Sequence, residues 1–177
     1  MNQEVMEQIK ASVKDFHLPR YHEIPSIGLY LEQTTKYIAE CFTPLMKESI
    51  TASMISNYVK RGLLSNPIKK QYSREQIAYL IYITTVKTVL PMENIKLTIR
   101  IQQKAYEPQV AYDYFCCEFE NILEYIFGFK DIPDIVGVEN TDEKIMLRNT
   151  VITAAHAIYL SKLFAALHEQ EAQHEQN

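Results

Sequence analysis

Along most of this chain apolar residues recur at intervals of three and four, the spacing of one face of an α-helix. Val5, Ile9, Val13 and Phe16 predict a first amphipathic helix over the opening sixteen residues, ending near His17-Leu18-Pro19. Ile27, Tyr30, Leu31, Thr34, Tyr37, Ile38 and Cys41 form a second stripe. A third helix runs from Thr51 as N-cap through Met54, Ile55, Tyr58 and Val59, and Gly62 stands where it would stop. Ser73 with Gln76 has capping-box spacing and opens a fourth helix to about Leu90. That helix is apolar or aromatic nearly all round, the mark of a central, buried element.

Beyond it, Ile95, Leu97, Ile99 and Ile101 alternate strictly, which fits a strand or a helix. Pro108 starts a helix to about Phe127, with Ala111, Phe115, Phe119, Ile122 and Ile126 on one face. Glu118, Glu120 and Glu124 fall on or near the other, and a solvated face is the default reading. A loop follows from Gly128 to Asn140, and Thr141 caps a last long helix with Asp142 and Glu143 in its first turn. The polar end HEQEAQHEQN reads as a disordered tail.

Charge changes this picture at one place. From Thr51 to Gln76 there are five basic residues against one acid, a local charge of +4 in a chain whose formal net charge is -4. Phosphate contacts supply most sequence-independent affinity for DNA, so a local basic segment outweighs an overall pI near 5.8.

Three pieces within that segment carry a resemblance. They are Asn57-Tyr58-Val59-Lys60-Arg61-Gly62-Leu63-Leu64, Lys69-Lys70-Gln71-Tyr72, and Ser73-Arg74-Glu75-Gln76. The run resembles the winged helix-turn-helix of MerR-type regulators, and Met92-Glu93-Asn94-Ile95 resembles the short helix that follows there. More of the chain, from about Ile24 onward, is similar to a bacterial family catalogued as domain of unknown function 1836. The MerR resemblance implies that Tyr58, Lys60 and Lys70 lie near DNA. Thr43 as N-cap with Pro44 at the first helical position predicts a short helix to about Glu48, expected to be the first of the DNA-reading unit. The chain departs from the MerR pattern at Ser56, Asn57 and Ile68. Chemically, Asn57 can pair with adenine, Ser53 and Ser56 can bond phosphate or a base edge, and Lys69 and Lys70 can straddle a backbone.

Composition narrows the alternatives. A chain of 177 residues, 47% hydrophobic, suffices for a substantial core. Four glycines, with neither GxGxxG nor GxxxxGK[ST], exclude the Gly-rich nucleotide loops. No run of about eighteen apolar residues and no signal-peptide start is present, so a cytoplasmic protein without a membrane partner is expected. Cys41, Cys116 and Cys117 are read as buried apolar thiols rather than a disulfide framework. His168, Glu171 and His174 have metal-capable spacing on a polar tail, and His156 is read as a histidine on a helix packing face.

The expectation is therefore an all-α protein. Residues 1–42 form an N-terminal helical segment, 43–104 a MerR-like winged helix-turn-helix, 105–170 a C-terminal helical hairpin for dimerisation or sensing, and 171–177 a disordered tail. The expected function is a DNA-binding transcriptional regulator acting on double-stranded DNA as a homodimer, through Ser53, Ser56, Asn57, Tyr58, Lys60, Arg61, Lys69, Lys70, Tyr72 and Arg74. No catalytic residue, metal or cofactor is assigned. Two alternatives stay open: a helical protein-interaction module without DNA binding, marked by Lys60 and Lys70 tied to acidic C-terminal faces, and a sensor of a small-molecule effector, marked by an apolar cavity with convergent polar groups.

Overall fold

A computed structural model describes residues 3–46, 49–137 and 141–174. Among them the chain is all-α except for one minimal ribbon. Its helices are α1 (Gln3–Ala11), α2 (Leu31–Phe42), α3 (Ala52–Lys60), α4 (Arg74–Val86), α5 (Met92–Ala105), α6 (Pro108–Ile126) and α7 (Asp142–His174), with strands β1 (Leu29–Tyr30) and β2 (Gln71–Tyr72).

The caps explain the boundaries. The Thr51 hydroxyl accepts from Met54 N, and Ser73 and Gln76 form a reciprocal capping box. Gly62, at φ +69°, ends α3 in a Schellman turn in which Leu63 N donates to the Tyr58 carbonyl and Gly62 N to that of Val59. Leu63 is buried beneath this turn.

Central α4 buries every residue from Gln76 to Val86. It packs on α2, α5, α6 and α7, and α1 joins α7. α6 and α7 run parallel rather than as the expected hairpin, because the loop between them returns the chain to the start of α6: Tyr114 meets Lys144, Glu118 meets Arg148 and Phe127 meets Tyr159. Rings of α6 line the core: Phe115 stacks on Phe119 at 5.9 Å, and Tyr82 of α4 meets Phe115 edge-on at 5.3 Å. α7 is long and apolar enough, by length and composition, to cross a membrane. Val151, Ala154, Ala155, Ile158 and Leu163 of this helix are nonetheless buried in the body, whereas Leu160 and Phe164 are exposed.

Several expectations change. Residues 95–101 are helical: Ile95 and Ile99 share the buried face and Leu97 points outward, so the alternation came from a helix whose exposed side also carries apolar residues. α1 stops at Ala11, although Val13 is buried and Phe16 still reaches Phe119. No separate helix starts at Pro44, because residues 43–45 are a turn continuing α2; Lys47 and Glu48 of that expected helix lie outside the described residues. α7 continues through Glu171–Gln173, where a disordered tail was expected, and residues 175–177 lie outside the described residues. Cys116 is buried, Cys41 half-buried and Cys117 exposed. His156 is exposed rather than packed.

Acidic residues of α6 depart furthest from expectation. Glu118 is only 1% exposed, accepts from the Tyr114 hydroxyl at 3.0 Å and lies 3.9 Å from Arg148. Glu120 accepts from Leu18 N and takes both guanidinium ends of Arg20, at 2.7 and 2.5 Å. These carboxylates are covered by the N-terminal segment and the α6–α7 loop, so they tie the fold together instead of facing water.

Candidate nucleic-acid interface

The basic segment folds as a short helix beside a two-strand ribbon. β1 pairs antiparallel with β2, Leu29 opposite Tyr72 and Tyr30 opposite Gln71. Gly28 is required at the ribbon's entrance, since a Cβ there would stand 2.7 Å from the Gln71 Cβ. Because β1 runs straight into α2, the ribbon and α2 are one unit. The ribbon thus joins residues on both sides of position 43.

Immediately before β2 the chain makes a tight turn onto the ribbon. Ile68 N donates to the Gln71 carbonyl at 3.1 Å and Gln71 N to the Ile68 carbonyl at 2.9 Å, leaving two residues at the tip. They are Lys69 and Lys70, at φ +51° and +64°. Two positive φ values identify a turn of type I′, whose twist suits a hairpin but which ordinarily selects Asn and Gly. Two lysines in this conformation are strained, by about 1 kcal/mol or more each. Both are exposed, and neither forms an ion pair among the described residues.

α3 carries no acidic residue. Ser53, Ser56 and Lys60 are exposed along it at intervals of three and four, a row spanning about 10 Å. The Ser56 hydroxyl donates to the Ala52 carbonyl at 2.9 Å, and the half-exposed Asn57 accepts from Arg61 Nε at 3.3 Å. A helix of this length with small polar side chains outward has the dimensions to enter a groove about 12 Å wide.

Three of the ten residues expected at DNA serve the fold instead. Tyr58 and Tyr72 are both 4% exposed, and burial raises both hydroxyl pKa values. Arg74 donates from Nε to the Ile24 carbonyl at 2.8 Å and from Nη2 to that of His22 at 3.3 Å, and lies over the Tyr21 ring. The MerR-like spacing gives position along the chain, not the face. The outward residues are Ser53, Ser56, Lys60, Arg61, Lys69 and Lys70, with Asn57 at the edge.

Two lysines overlooked in the sequence complete the unit. Lys96 of α5 donates to the Arg61 carbonyl at 3.1 Å, adding positive charge where the C-terminal dipole of α3 favours it. Lys87, past the end of α4, donates to the Ser49 carbonyl and sits 4.0 Å from the Met54 sulfur, holding the connector that starts α3. Burial lowers its pKa from the ordinary lysine value. No local motif announced either; each acts across 33 residues or more.

These features define a mostly helical protein in which a short basic helix and a lysine-tipped ribbon stand out from a helical body. A family model described as a domain of unknown function (DUF1836) matches residues 19–115, more than half of the chain, and the chain belongs to that family. The matched span holds the ribbon and α2 to α5, and ends within α6. No curated protein and no solved structure matches the chain.

Proposed function

We propose that this protein is a DNA-binding transcriptional regulator whose segment from β1 to α5 is a winged helix-turn-helix of MerR type. α2 is its first helix, α3 enters the major groove, and the Lys69-Lys70 turn is a wing set on phosphates. Two copies pair through the C-terminal helices, so that the target is a pseudo-palindrome. Exposed Leu160 and Phe164, 48% and 56% accessible on α7, support that pairing. We place the protein in the cytoplasm with its DNA; the packing of α7 against α1, α4 and α6 supports its reading as a body helix.

The observation that carries this reading is the ribbon tip. Lys69 and Lys70 adopt a costly backbone conformation, are exposed, and have no carboxylate partner among the described residues. Strain of this kind concentrates where a surface is used. The protein-interaction alternative requires Lys60 and Lys70 tied to acidic faces of the C-terminal helices, and the charges of those faces are occupied elsewhere: Glu120 by Arg20, Glu124 by Lys130.

Fluorescence anisotropy against pooled genomic DNA fragments across a salt series tests it, with Lys69→Ala/Lys70→Ala alongside. Each lost phosphate contact lowers the log-log salt slope by about 0.9, so the double variant is expected to bind about 1.8 less steeply. Absence of binding at low salt by folded protein would sink the proposal.

A further inference from the structure

Between α4, α5, α6 and the start of α7 lies a cavity of about 160 Å³. Tyr79 and Tyr82 of α4, Tyr112, Tyr114 and Phe115 of α6, and Tyr106 between α5 and α6 wall it. Native cores close such space, because a void forfeits the dispersion contacts of its lining. Here the rings are fixed by other contacts. Tyr79 accepts from Gln103 Nε2, Tyr112 donates to the Pro19 carbonyl, Tyr106 bonds Thr141, and Tyr114 bonds Glu118 and the Val136 carbonyl. Anchored from outside, the side chains cannot collapse inward without breaking those bonds.

We propose that this cavity binds a small, neutral aromatic molecule carrying one hydrogen-bond donor. Size comes first: an apolar cavity near 150 Å³ holds benzene, so the ligand has on the order of seven to nine non-hydrogen atoms. Neutrality follows from the lining. Its buried members are alanine, aromatic rings and Thr98, while the charged members Glu75, Glu143 and Lys144 are all partly exposed. A charged ligand would lose its hydration against a wall that offers no buried counter-charge. Aromaticity follows from the rings, which reward a flat partner at stacked or edge-on distance. The donor is placed by one pair: the Tyr82 hydroxyl gives its proton to Thr98 Oγ1 at 2.9 Å, and Thr98 gives its own to the Ile95 carbonyl at 2.8 Å. Thr98 has no further proton to offer the Tyr82 oxygen, whose lone pair is left to accept from a ligand.

Isothermal titration and thermal unfolding of the full chain without DNA test this, with phenol and indole as probes and cyclohexanol as the non-aromatic control. Saturable binding of phenol or indole is expected, with a Tm that climbs with probe concentration, and no response to cyclohexanol. Ala111→Leu fills the cavity from α6 and should abolish binding. Val110→Trp, at a lining position 58% exposed, should abolish it while leaving the packed core alone, and decides the matter if Ala111→Leu does not fold. Failure of the folded wild type to bind either probe, equal binding of cyclohexanol, or undiminished binding by a folded variant overturns the assignment. Since no DNA is present, the outcome is independent of the regulator reading.

Discussion

Glu120 and Lys70 are both charged residues that the sequence assigns to exposed surface, yet the fold treats them oppositely. Glu120 accepts three hydrogen bonds from the N-terminal segment, two of them from one guanidinium. The contact raises the Arg20 pKa, mainly through the hydrogen bond to that carboxylate. Lys70 stands at a ribbon tip with positive φ and no ion-pair partner among the described residues. Nor is this a contrast between two isolated residues. In the C-terminal half, Lys130 holds Glu124 and Asp134, and Asn121 bonds the backbone N–H and carbonyl of Asp134. Around α3, by contrast, Lys60, Arg61, Lys69 and Lys70 all remain exposed. Charges consumed by the fold report on stability; charges the fold leaves over are the better guide to what the surface meets.

The largest effect should come from breaking the consumed side. Glu120→Ala leaves Leu18 N without its acceptor and Arg20 without its carboxylate in a partly buried setting, for a loss of about 3 kcal/mol in urea unfolding. DNA affinity of the folded fraction should not move. A change in salt slope at full folding would show that the two halves are coupled and would undo the division drawn above.

A smaller loss is expected from the ribbon without touching any charge. Gly28→Ala pushes a methyl to 2.7 Å from the Gln71 Cβ, an atom bound directly to backbone, so the strands must part. About 1–2 kcal/mol of stability should go. If the tip acts as a wing, DNA affinity should fall as well, although all four exposed cations are intact. Unchanged affinity in Gly28→Ala would mean that the lysines work without the ribbon's geometry.

Where the sequence was legible, the signal was local. Thr51, Ser73, Pro108 and Thr141 each mark a helix start because a cap acts within a single turn. The all-round apolar pattern of α4 identified the central helix for a similar reason, since burial on every side leaves no polar stripe. The failures were long-range. Glu120 is 100 positions from Arg20, and nothing in the spacing of α6 shows that a distant segment will cover its polar face. β1 has two residues, too few for an alternating pattern, so the ribbon is not legible in the sequence. The hairpin tip was hidden because Lys-Lys lacks the Asn-Gly chemistry by which a type I′ turn is recognised.

That missing chemistry supplies the smallest and most discriminating test. Lys69→Asn/Lys70→Gly installs residues that accept positive φ readily, and relieving the strain should stabilise the chain by about 1 kcal/mol. For a chain of this length that is a rise in Tm of roughly 2–4 °C. If the two lysines sit on phosphates as proposed, the same change should lower the salt slope by about 1.8, as for the alanine pair. Stability and affinity are thus expected to move in opposite directions. If the lysines instead held the ribbon together, both would fall, and if the turn were merely tolerated drift, stability would rise while binding stayed level. Only a gain in Tm together with a flatter slope separates a surface kept for DNA at the cost of strain from these two alternatives.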